Sequence, residues 1–327
     1  MSPKGRNYFS PISFFIFSQL YNRSAILNSM KLLSGSSNPK LAANLAAGLG
    51  IESITVEIST FANKEKRVWI KDQIQGENII LVQSLSAPTD EHIMEFLLMV
   101  DALERLGARH INAIIPWMGY SFQDKIFREG EPIAAKVVSD LISNSYTKRV
   151  FLLDLHNTSV PGFFSIPSKN LSALELFATF AKENIGTENT VIASPDFGGL
   201  KRARQFANLL KLDLVNIDKQ RDLATGEVTA NSIQGGSVQD KTVVLFDDAI
   251  LSGSTVVEAG RILKANGATA VHFLATHGVF TPGATDRMMS EHLDTVVISN
   301  SIHHDNLPSK ITVLDAAPLF AQALKAW

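Results

Sequence analysis

Short apolar runs alternate with amphipathic segments along most of the chain. Runs of β-branched and aliphatic residues predict strands at Ile54–Ile58, Val68–Ile70, Ile79–Gln83, Ile111–Ile115, Val150–Leu153, Thr190–Ala193, Leu214–Ile217, Val243–Phe246, Ala270–Ala275 and Thr295–Ile298. Apolar residues at helical spacing predict helices at Ile93–Leu106, Pro132–Ile142, Leu171–Glu183, Gly199–Leu210 and Val256–Ala265. This alternation predicts an α/β fold with mainly parallel sheets flanked by helices.

The length of 327 residues favours two domains over one. We place the boundary near residues 168–173, between the segments 152–156 and 192–196, each of which ends an apolar run with polar residues. No low-complexity linker separates the two halves, so we expect the domains to pack closely together.

Residues 1–29 differ from the rest of the chain. They contain Lys4, Arg6 and Arg23, no acidic residue, and an aromatic cluster around Phe15. Their apolar core is short for a secretory signal. Met30 then opens a sequence that resembles a protein start leading into a first strand. We interpret residues 1–29 as an extension outside the fold, with a targeting peptide as the alternative.

Composition excludes several classes of function. The formal net charge of −2 gives no basic field for nucleic acid or an anionic membrane surface. The absence of cysteine excludes disulfides, thiolate catalysis and zinc-thiolate sites, and it is compatible with a reducing cytoplasm, where we expect the protein. No apolar run reaches the roughly 18 to 20 residues of a membrane-spanning helix.

The segment 242–255 is the strongest candidate for a binding site. A buried strand is expected to end at Asp247 and Asp248, and a short loop of small residues, Ser252, Gly253, Ser254 and Thr255, leads into a helix. Amides of such a loop and the helix N-terminus can bind a phosphate, while the carboxylates can accept hydrogen bonds from sugar hydroxyls. The segment therefore predicts a sugar-phosphate site. The alternative is a solvated turn with two aspartates.

Other polar residues follow predicted strands. His156 and Asp196 could together hold a divalent cation such as Mg²⁺, which usually takes one or two protein ligands plus water and substrate phosphates. Each of them could instead be structural. Lys219 and Arg221 begin a polar, glycine-containing segment, residues 219–234, which we interpret as a loop able to close over a polyphosphate. The alternative is a solvated loop.

Two polar loops of the first half are less specific. Asn63 and Glu65 lie in one of them, and Gln123 follows the predicted strand at 111–115 in the other. Either loop could contact a base or a ribose, and either could be a surface turn.

Taken together, these segments resemble the ribose-phosphate pyrophosphokinase family, also called phosphoribosyl pyrophosphate synthetases. The resemblance runs from about Met30 to the end of the sequence. It rests on the order and spacing of Phe61–Glu65, Ala87–Thr89, Pro116–Tyr120, Gln123–Asp124, Asp154–His156, Gly162–Phe164, Ser194–Asp196, Lys201–Ala203, Asp218–Lys219, Asp247–Asp248 and Thr276–Gly278.

The resemblance implies two tandem type I phosphoribosyltransferase-like domains. Residues 30–170, completed by 312–327, would form the ATP side, and residues 171–311 the ribose 5-phosphate side. It also implies transfer of pyrophosphate from ATP to the anomeric hydroxyl of ribose 5-phosphate, with Mg²⁺, in a homo-oligomer built from dimers.

The resemblance also assigns roles to individual positions. The implied ATP contacts are Asn63, Glu65 and Gln123, and the implied metal ligands are His156 and Asp196. Lys219 falls on the catalytic lysine, and Arg221 lies beside it on the closing segment. The implied ribose 5-phosphate contacts are Arg221, Asp247 and the stretch 252–255, to which the loop chemistry adds Asp248.

The chain departs from the common family pattern at some positions. Phe122 stands where an ATP-contacting arginine is usual, Leu251 where aspartate is frequent, and Ser254 where glycine is usual. Phe122 and Leu251 leave open the alternative of a non-catalytic paralogue that regulates an active subunit. A second alternative is a phosphoribosyltransferase that consumes the product and uses the same sugar-phosphate loop. Retention of His156 and Lys219, together with Asp196 and Arg221, favours the synthetase.

Overall fold

The computed structural model describes residues 30–195, 198–221 and 228–326, with the side chains of 218–221 and 228–232 outside the description. Across these ranges no helix is both long and apolar enough to cross a membrane. The residues at 1–29, and with them the predicted extension, lie outside the described part.

The first half of the chain builds a parallel sheet of six strands within the described residues. Its strand order is β2-β1-β5-β6-β7-β8, and the strands are β1 (Met30–Ser34), β2 (Glu52–Ser53), β5 (Asn78–Val82), β6 (His110–Ile115), β7 (Thr147–Leu153) and β8 (Ser168–Leu171). Helices α1 (Pro39–Leu49), α2 (Thr89–Arg105) and α3 (Ala134–Asn144) connect them. A separate antiparallel hairpin of β3 (Val56–Thr60) and β4 (Lys66–Ile70) follows β2.

The second half repeats this arrangement. The described strands have the order β11-β10-β9-β12-β13-β14-β15, and every pair is parallel except β10 with β11. They are β9 (Thr190–Ser194), β10 (Leu214–Arg221), β11 (Val228–Gln234), β12 (Thr242–Ile250), β13 (Ala270–Gly278), β14 (Thr295–Ser299) and β15 (Ile311–Leu314). The helices are α4 (Leu174–Asn184), α5 (Leu200–Leu210), α6 (Ser254–Ala265), α7 (Ala284–Met288) and α8 (Ala317–Ala326).

One buried apolar cluster joins the two sheets. It includes Phe151 from the first sheet and Phe246 from the second, together with Phe320 of α8. The ring of Phe246 stacks on that of Phe206 with 4.2 Å between centroids. Because these sheets and helices share one core, the strand ends of both halves are held in a fixed relation.

The predicted α/β architecture is confirmed, while one predicted loop is wrong in part. Residues 219–221 and 228–234 were interpreted as loop, but β10 extends to Arg221 and pairs with β11, with Lys219 opposite Asn231. The β-branched residues Val228, Thr229 and Ile233 supply strand propensity that the polar composition concealed.

Candidate active site

A cavity of about 230 Å³ lies where the two halves of the chain meet. Phe122 and His156 of the first half line one side, and Asp247, Asp248 and the loop 251–253 line the other. His156 and the loop 251–253 follow the carboxyl ends of β7 and β12, which is where open α/β sheets bind ligands. Asp247 and Asp248 lie within β12, because this strand continues to Ile250 instead of ending at the aspartate pair as the sequence predicted. The structure thus brings together the predicted sugar-phosphate segment and the predicted cation ligand His156.

Arg202 holds the two aspartates. Its Nη1 lies 2.8 Å from Asp247 Oδ1 and 2.9 Å from Asp248 Oδ1. The amide of Asp248 also donates to Asp247 Oδ1 at 2.9 Å. The side chain of Asp247 is the more exposed of the two, at 19% against 6% for Asp248. Of the two carboxylates, Asp247 therefore keeps an acceptor for a ligand.

The two carboxylates differ in protonation. Burial, followed by the charge of Asp248, raises the pKa of Asp247 to about 7. Burial acts in the same direction on Asp248, but the hydrogen bond from His156 and the charge of Arg202 outweigh it, so the pKa of Asp248 lies below its usual value. Asp248 is therefore the permanent carboxylate at neutral pH, and Asp247 is the one that titrates.

His156 connects the two halves through this acidic pair. Its Nδ1 donates to Asp248 Oδ2 at 2.6 Å, and its side chain is 44% exposed. The hydrogen bond to Asp248 raises the pKa of His156 against the opposing effect of burial. With Nδ1 committed to a carboxylate, the neutral ring presents Nε2 as its acceptor.

Two further hydrogen bonds join the strand end before His156 to the segment Thr276–Gly278 of the second sheet. Thr276 Oγ1 donates to Asp154 Oδ2 at 2.6 Å, and His277 Nε2 donates to the carbonyl of Leu153 at 3.1 Å. Asp154 Oδ2 also accepts the amide of Ala173 at 3.0 Å. These bonds fix the segment that carries His156 against the second sheet.

The small-residue loop has the geometry of a helix start. Gly253 has φ +75° and precedes α6, whose first amides have no intrahelical partner. A Cβ at Gly253 would lie 2.3 Å from Met288 Cε, so the end of the Met288 side chain would have to shift, and the positive φ itself favours glycine there. Ser254 is the first residue of α6 and has no positive φ, so its Cβ introduces no backbone strain.

The predicted ATP contacts lie on two other surfaces of the first half. Asn63 and Glu65 form the tip of the β3–β4 hairpin, where Asn63 Oδ1 accepts the Glu65 amide at 3.2 Å. Gln123 is exposed and lines an open depression with Tyr120 and Thr89. No described contact joins the hairpin tip to Gln123, so their common role stays a prediction.

Phe122, which stands where the family usually has an ATP-contacting arginine, packs against aromatic rings of the protein itself. Its ring packs on the His156 ring with 4.5 Å between centroids and on Trp117 with 5.8 Å. Lys125, three residues further along the same loop, lies with Nζ 4.9 Å from the Phe127 ring centroid.

Several predicted residues cannot be placed from the described part of the chain. Asp196 lies outside it, and so do the side chains of Lys219 and Arg221. The backbone of the latter two belongs to β10, next to β9, whose end borders the cavity at Pro195.

Arg202 is the site residue that sequence reasoning missed. In the sequence, Arg202 stood out only as part of Lys201–Ala203, one of the segments that resemble the family, and no role was assigned to it. The missed signal is its place in the first turn of α5, where the helix dipole disfavours cations. A basic residue in such a position indicates a nearby anionic partner, here the aspartate pair.

The described residues fit a divalent cation that keeps most of its own ligands. They contain no group of three or more His, Cys, Asp or Glu side chains able to hold a metal ion. However, a histidine whose second ring nitrogen binds a carboxylate is the usual arrangement of a metal ligand, and His156 with Asp248 has it. This suits Mg²⁺, which is bound by few protein ligands.

Two α/β units in tandem, the second with an acidic strand followed by a small-residue loop and a helix, are typical of the phosphoribosyltransferase class. Residues 169–312 match the phosphoribosyl transferase domain, and residues 30–145 match the N-terminal domain of ribose phosphate pyrophosphokinase. The chain therefore belongs to the ribose-phosphate pyrophosphokinase family, as its motifs predicted.

Individual relatives agree with this assignment. The ribose-phosphate pyrophosphokinase of Wolinella succinogenes is 40% identical over 295 residues, which are 90% of this chain and 94% of the relative. That of Thermotoga maritima is 39% identical over 299 residues, covering 91% and 94%. The crystal structure of phosphoribosylpyrophosphate synthetase from Mycobacterium smegmatis matches with a TM-score of 0.84 and 33% identity, over 91% of this chain and 98% of that one.

Proposed function

We propose that this chain transfers the pyrophosphoryl group of ATP to the anomeric hydroxyl of ribose 5-phosphate, giving phosphoribosyl pyrophosphate and AMP. Membership in the pyrophosphokinase family supports the reaction. The observation that carries the site assignment is the meeting of His156 from one sheet with Asp248 from the other, beside the start of α6.

Ribose 5-phosphate binds in the cavity at the end of β12. Asp247 Oδ2 accepts a sugar hydroxyl, while Asp248 is occupied by Arg202 and His156. The phosphate lies against the loop 252–255, where the amides at the start of α6 and the positive end of the α6 dipole favour an anion. Arg221 adds positive charge from β10.

ATP binds on the first domain, with Asn63, Glu65 and Gln123 as contacts. We assign residues 30–170 and the C-terminal helix α8 to this domain, because α8 packs against α1 and β8 of the first half. The expected completion by 312–327 is corrected at its start, since residues 312–314 belong to β15, which pairs with β14 in the second sheet. Residues 171–311 then form the ribose 5-phosphate domain.

His156 Nε2 and Asp196 would hold Mg²⁺. When bound, the cation would neutralise charge on the phosphate oxygens. The chain's own contribution is orientation, because the hydrogen bond to Asp248 fixes the imidazole of His156, which lines the cavity. Lys219 and Arg221 stabilise the charge that develops on the transferred group as the hydroxyl attacks the β-phosphorus and AMP leaves.

The assembly is a homo-oligomer built from dimers, and the compartment is the cytoplasm. Exposed apolar side chains on α2 and α3, including Met94, Val137 and Leu141, support an interface between copies. A chain without cysteine is compatible with a reducing compartment.

The direct test measures AMP release from ATP and Mg²⁺ with and without ribose 5-phosphate. We expect AMP in amounts equal to phosphoribosyl pyrophosphate, and only when the sugar phosphate is present. A phosphoribosyltransferase would release no AMP, and a non-catalytic paralogue would bind both substrates without turnover. Either result would contradict the proposal.

A further inference from the structure

Phe122 lies in the cavity wall but outside the protein's cores. Among the described residues, it belongs to none of the three buried apolar clusters. Its ring instead contacts the ring of His156, with 4.5 Å between centroids and an interplanar angle of 41°. This separation lies within the range in which aromatic pairs attract one another.

A rigid base supports Phe122 from behind. Trp117, which is 8% exposed, packs on Phe122 at 5.8 Å and on His277 at 4.8 Å. His277 is buried, with Nδ1 2.8 Å from Ser301 Oγ and Nε2 donating to the carbonyl of Leu153. Phe122 is therefore backed by an aromatic row whose far end is tied to the strand that leads to His156.

His156 is thereby held from two directions. Asp248 fixes the ring edge through Nδ1, but one hydrogen bond leaves the ring free to tilt about that axis. Phe122 covers one face and restricts this tilt, while the exposed part of the ring faces the cavity. The direction of Nε2 is set only when both contacts are present.

We propose that Phe122 is a positioning residue that orients His156 for its divalent cation. The inference rests on the proposed metal role of His156. Phe122 itself touches no reacting atom. The hydrogen bond that Nδ1 donates to Asp248 sets the tautomer, and the phenyl ring sets the orientation.

The test measures cation affinity without turnover. Mn²⁺, with a non-hydrolysable ATP analogue, is titrated into the full-length protein and followed by water-proton relaxation. Phe122→Leu keeps the apolar bulk and removes the ring, and Phe122→Ala removes both. Phe127→Leu is the matched control, because Phe127 lies on the same loop and is 65% exposed.

We expect Phe122→Leu and Phe122→Ala to weaken Mn²⁺ binding by about twofold to tenfold, the size of one aromatic contact, and Phe127→Leu to leave it unchanged. In a His156→Asn background, Phe122→Leu should cause no further loss, because the residue it positions is absent. An equal loss in both backgrounds, or no loss in either, would overturn the inference.

The same titration separates this inference from the proposed function. If His156→Asn binds Mn²⁺ as well as the wild type, the metal role of His156 is wrong, and the inference is lost with it. If His156→Asn weakens binding but neither Phe122 variant does, only the role of Phe122 is wrong.

Discussion

The two sheets carry different residues at the same structural position. Val82 of β5 pairs with Ile114, and Phe246 of β12 pairs with Leu274 at the equivalent place of the second sheet. The residues that follow are Gln83–Ser84 in the first domain and Asp247–Asp248 in the second. The same fold therefore presents an amide and a hydroxyl at this position of the first sheet, and two carboxylates at the equivalent position of the second sheet.

The surroundings of these two residue pairs also differ, because the first pair is enclosed by the protein and the second borders a cavity. Gln83 is fully buried, accepts from Ser37 Oγ at 2.7 Å and donates to Glu95 Oε1 at 3.0 Å. Glu95, also fully buried, accepts the amide of Ser36 at 2.8 Å. The first domain thus fills its own loop with a carboxylate, while Asp247 faces an open cavity. The fold therefore supplies the position in both domains, and the side chains decide whether that position binds a ligand.

The largest expected effect is on catalysis in the second domain. Asp247→Asn should lower kcat/KM for ribose 5-phosphate by about a hundredfold or more at pH 8, because a charge-assisted acceptor for a sugar hydroxyl is lost. Steady-state AMP release measures this. Asp101→Asn, at an exposed aspartate, is the control. A loss below threefold would contradict the assignment of Asp247.

The equivalent change in the first domain should act on stability. Gln83→Met keeps the volume but leaves buried partners unpaired, so we expect the free energy of unfolding to fall by about 2–3 kcal/mol. Urea denaturation measures this, with Gln73→Met at an exposed site as control. The value of kcat/KM for ribose 5-phosphate should change by less than about threefold. A Gln83→Met protein that is as stable as wild type but inactive would contradict the proposed difference between the two domains.

The antiparallel pair of β10 and β11 carries the proposed catalytic lysine of the second domain. Lys219→Ala should lower kcat at least about tenfold, or roughly 1.4 kcal/mol in barrier, with the fold intact. Stopped reactions at saturating substrates measure this, and Lys182→Ala, exposed on α4, is the control. Wild-type turnover in the Lys219 variant would refute the catalytic role.

The raised pKa of Asp247 predicts a pH dependence that the Gln83 position lacks. Asp247 accepts best when ionised, so kcat/KM for ribose 5-phosphate should rise severalfold as the pH increases through about 7. A profile that is flat or falls between pH 6 and 8 would contradict this role.

The same shift has the opposite sign for stability. The folded state binds a proton more tightly than the unfolded chain between the ordinary value of 3.8 and about 7, so stability falls as pH rises through this window. Asp247→Asn should therefore be more stable than the wild type at pH 8, by about 1–3 kcal/mol in urea denaturation.

The smallest expected effect concerns the loop before α6. Ser254→Gly should change activity by less than about twofold, because the positive φ lies at Gly253 and a glycine costs at most about 1 kcal/mol in the first helical turn. Gly253→Ala should lower activity much more strongly. A large gain from Ser254→Gly would show that the Ser254 Cβ obstructs the phosphate.

Hydropathy was sufficient for the central strands of both sheets but not for the edges. The run 243–246 has the β-branched, doubly buried character of an interior strand. Edge strands such as β8 (Ser168–Leu171) and β15 (Ile311–Leu314) are short and partly exposed, so no apolar run in the sequence predicted them. The alanine-rich helices α1 and α8 were not predicted either.

The site was predictable only where one segment carries its own chemistry. Asp247 and the loop 252–255 are close together in the sequence, so the sequence alone was enough to predict that they form one sugar-phosphate site. The contacts of Asp248 with His156 and Arg202 span 92 and 46 positions, and no local pattern encodes them. The packing of Phe122 on His156 is equally non-local, and only the folded chain reveals it.

Binding of ribose 5-phosphate to the two equivalent variants tests the comparison most directly. Isothermal titration calorimetry at pH 8, without ATP, gives the Kd for wild type, Asp247→Asn and Gln83→Met. We predict that the Kd rises about tenfold or more in Asp247→Asn and stays within about twofold of wild type in Gln83→Met. Weakened binding in Gln83→Met with unchanged binding in Asp247→Asn would contradict the account.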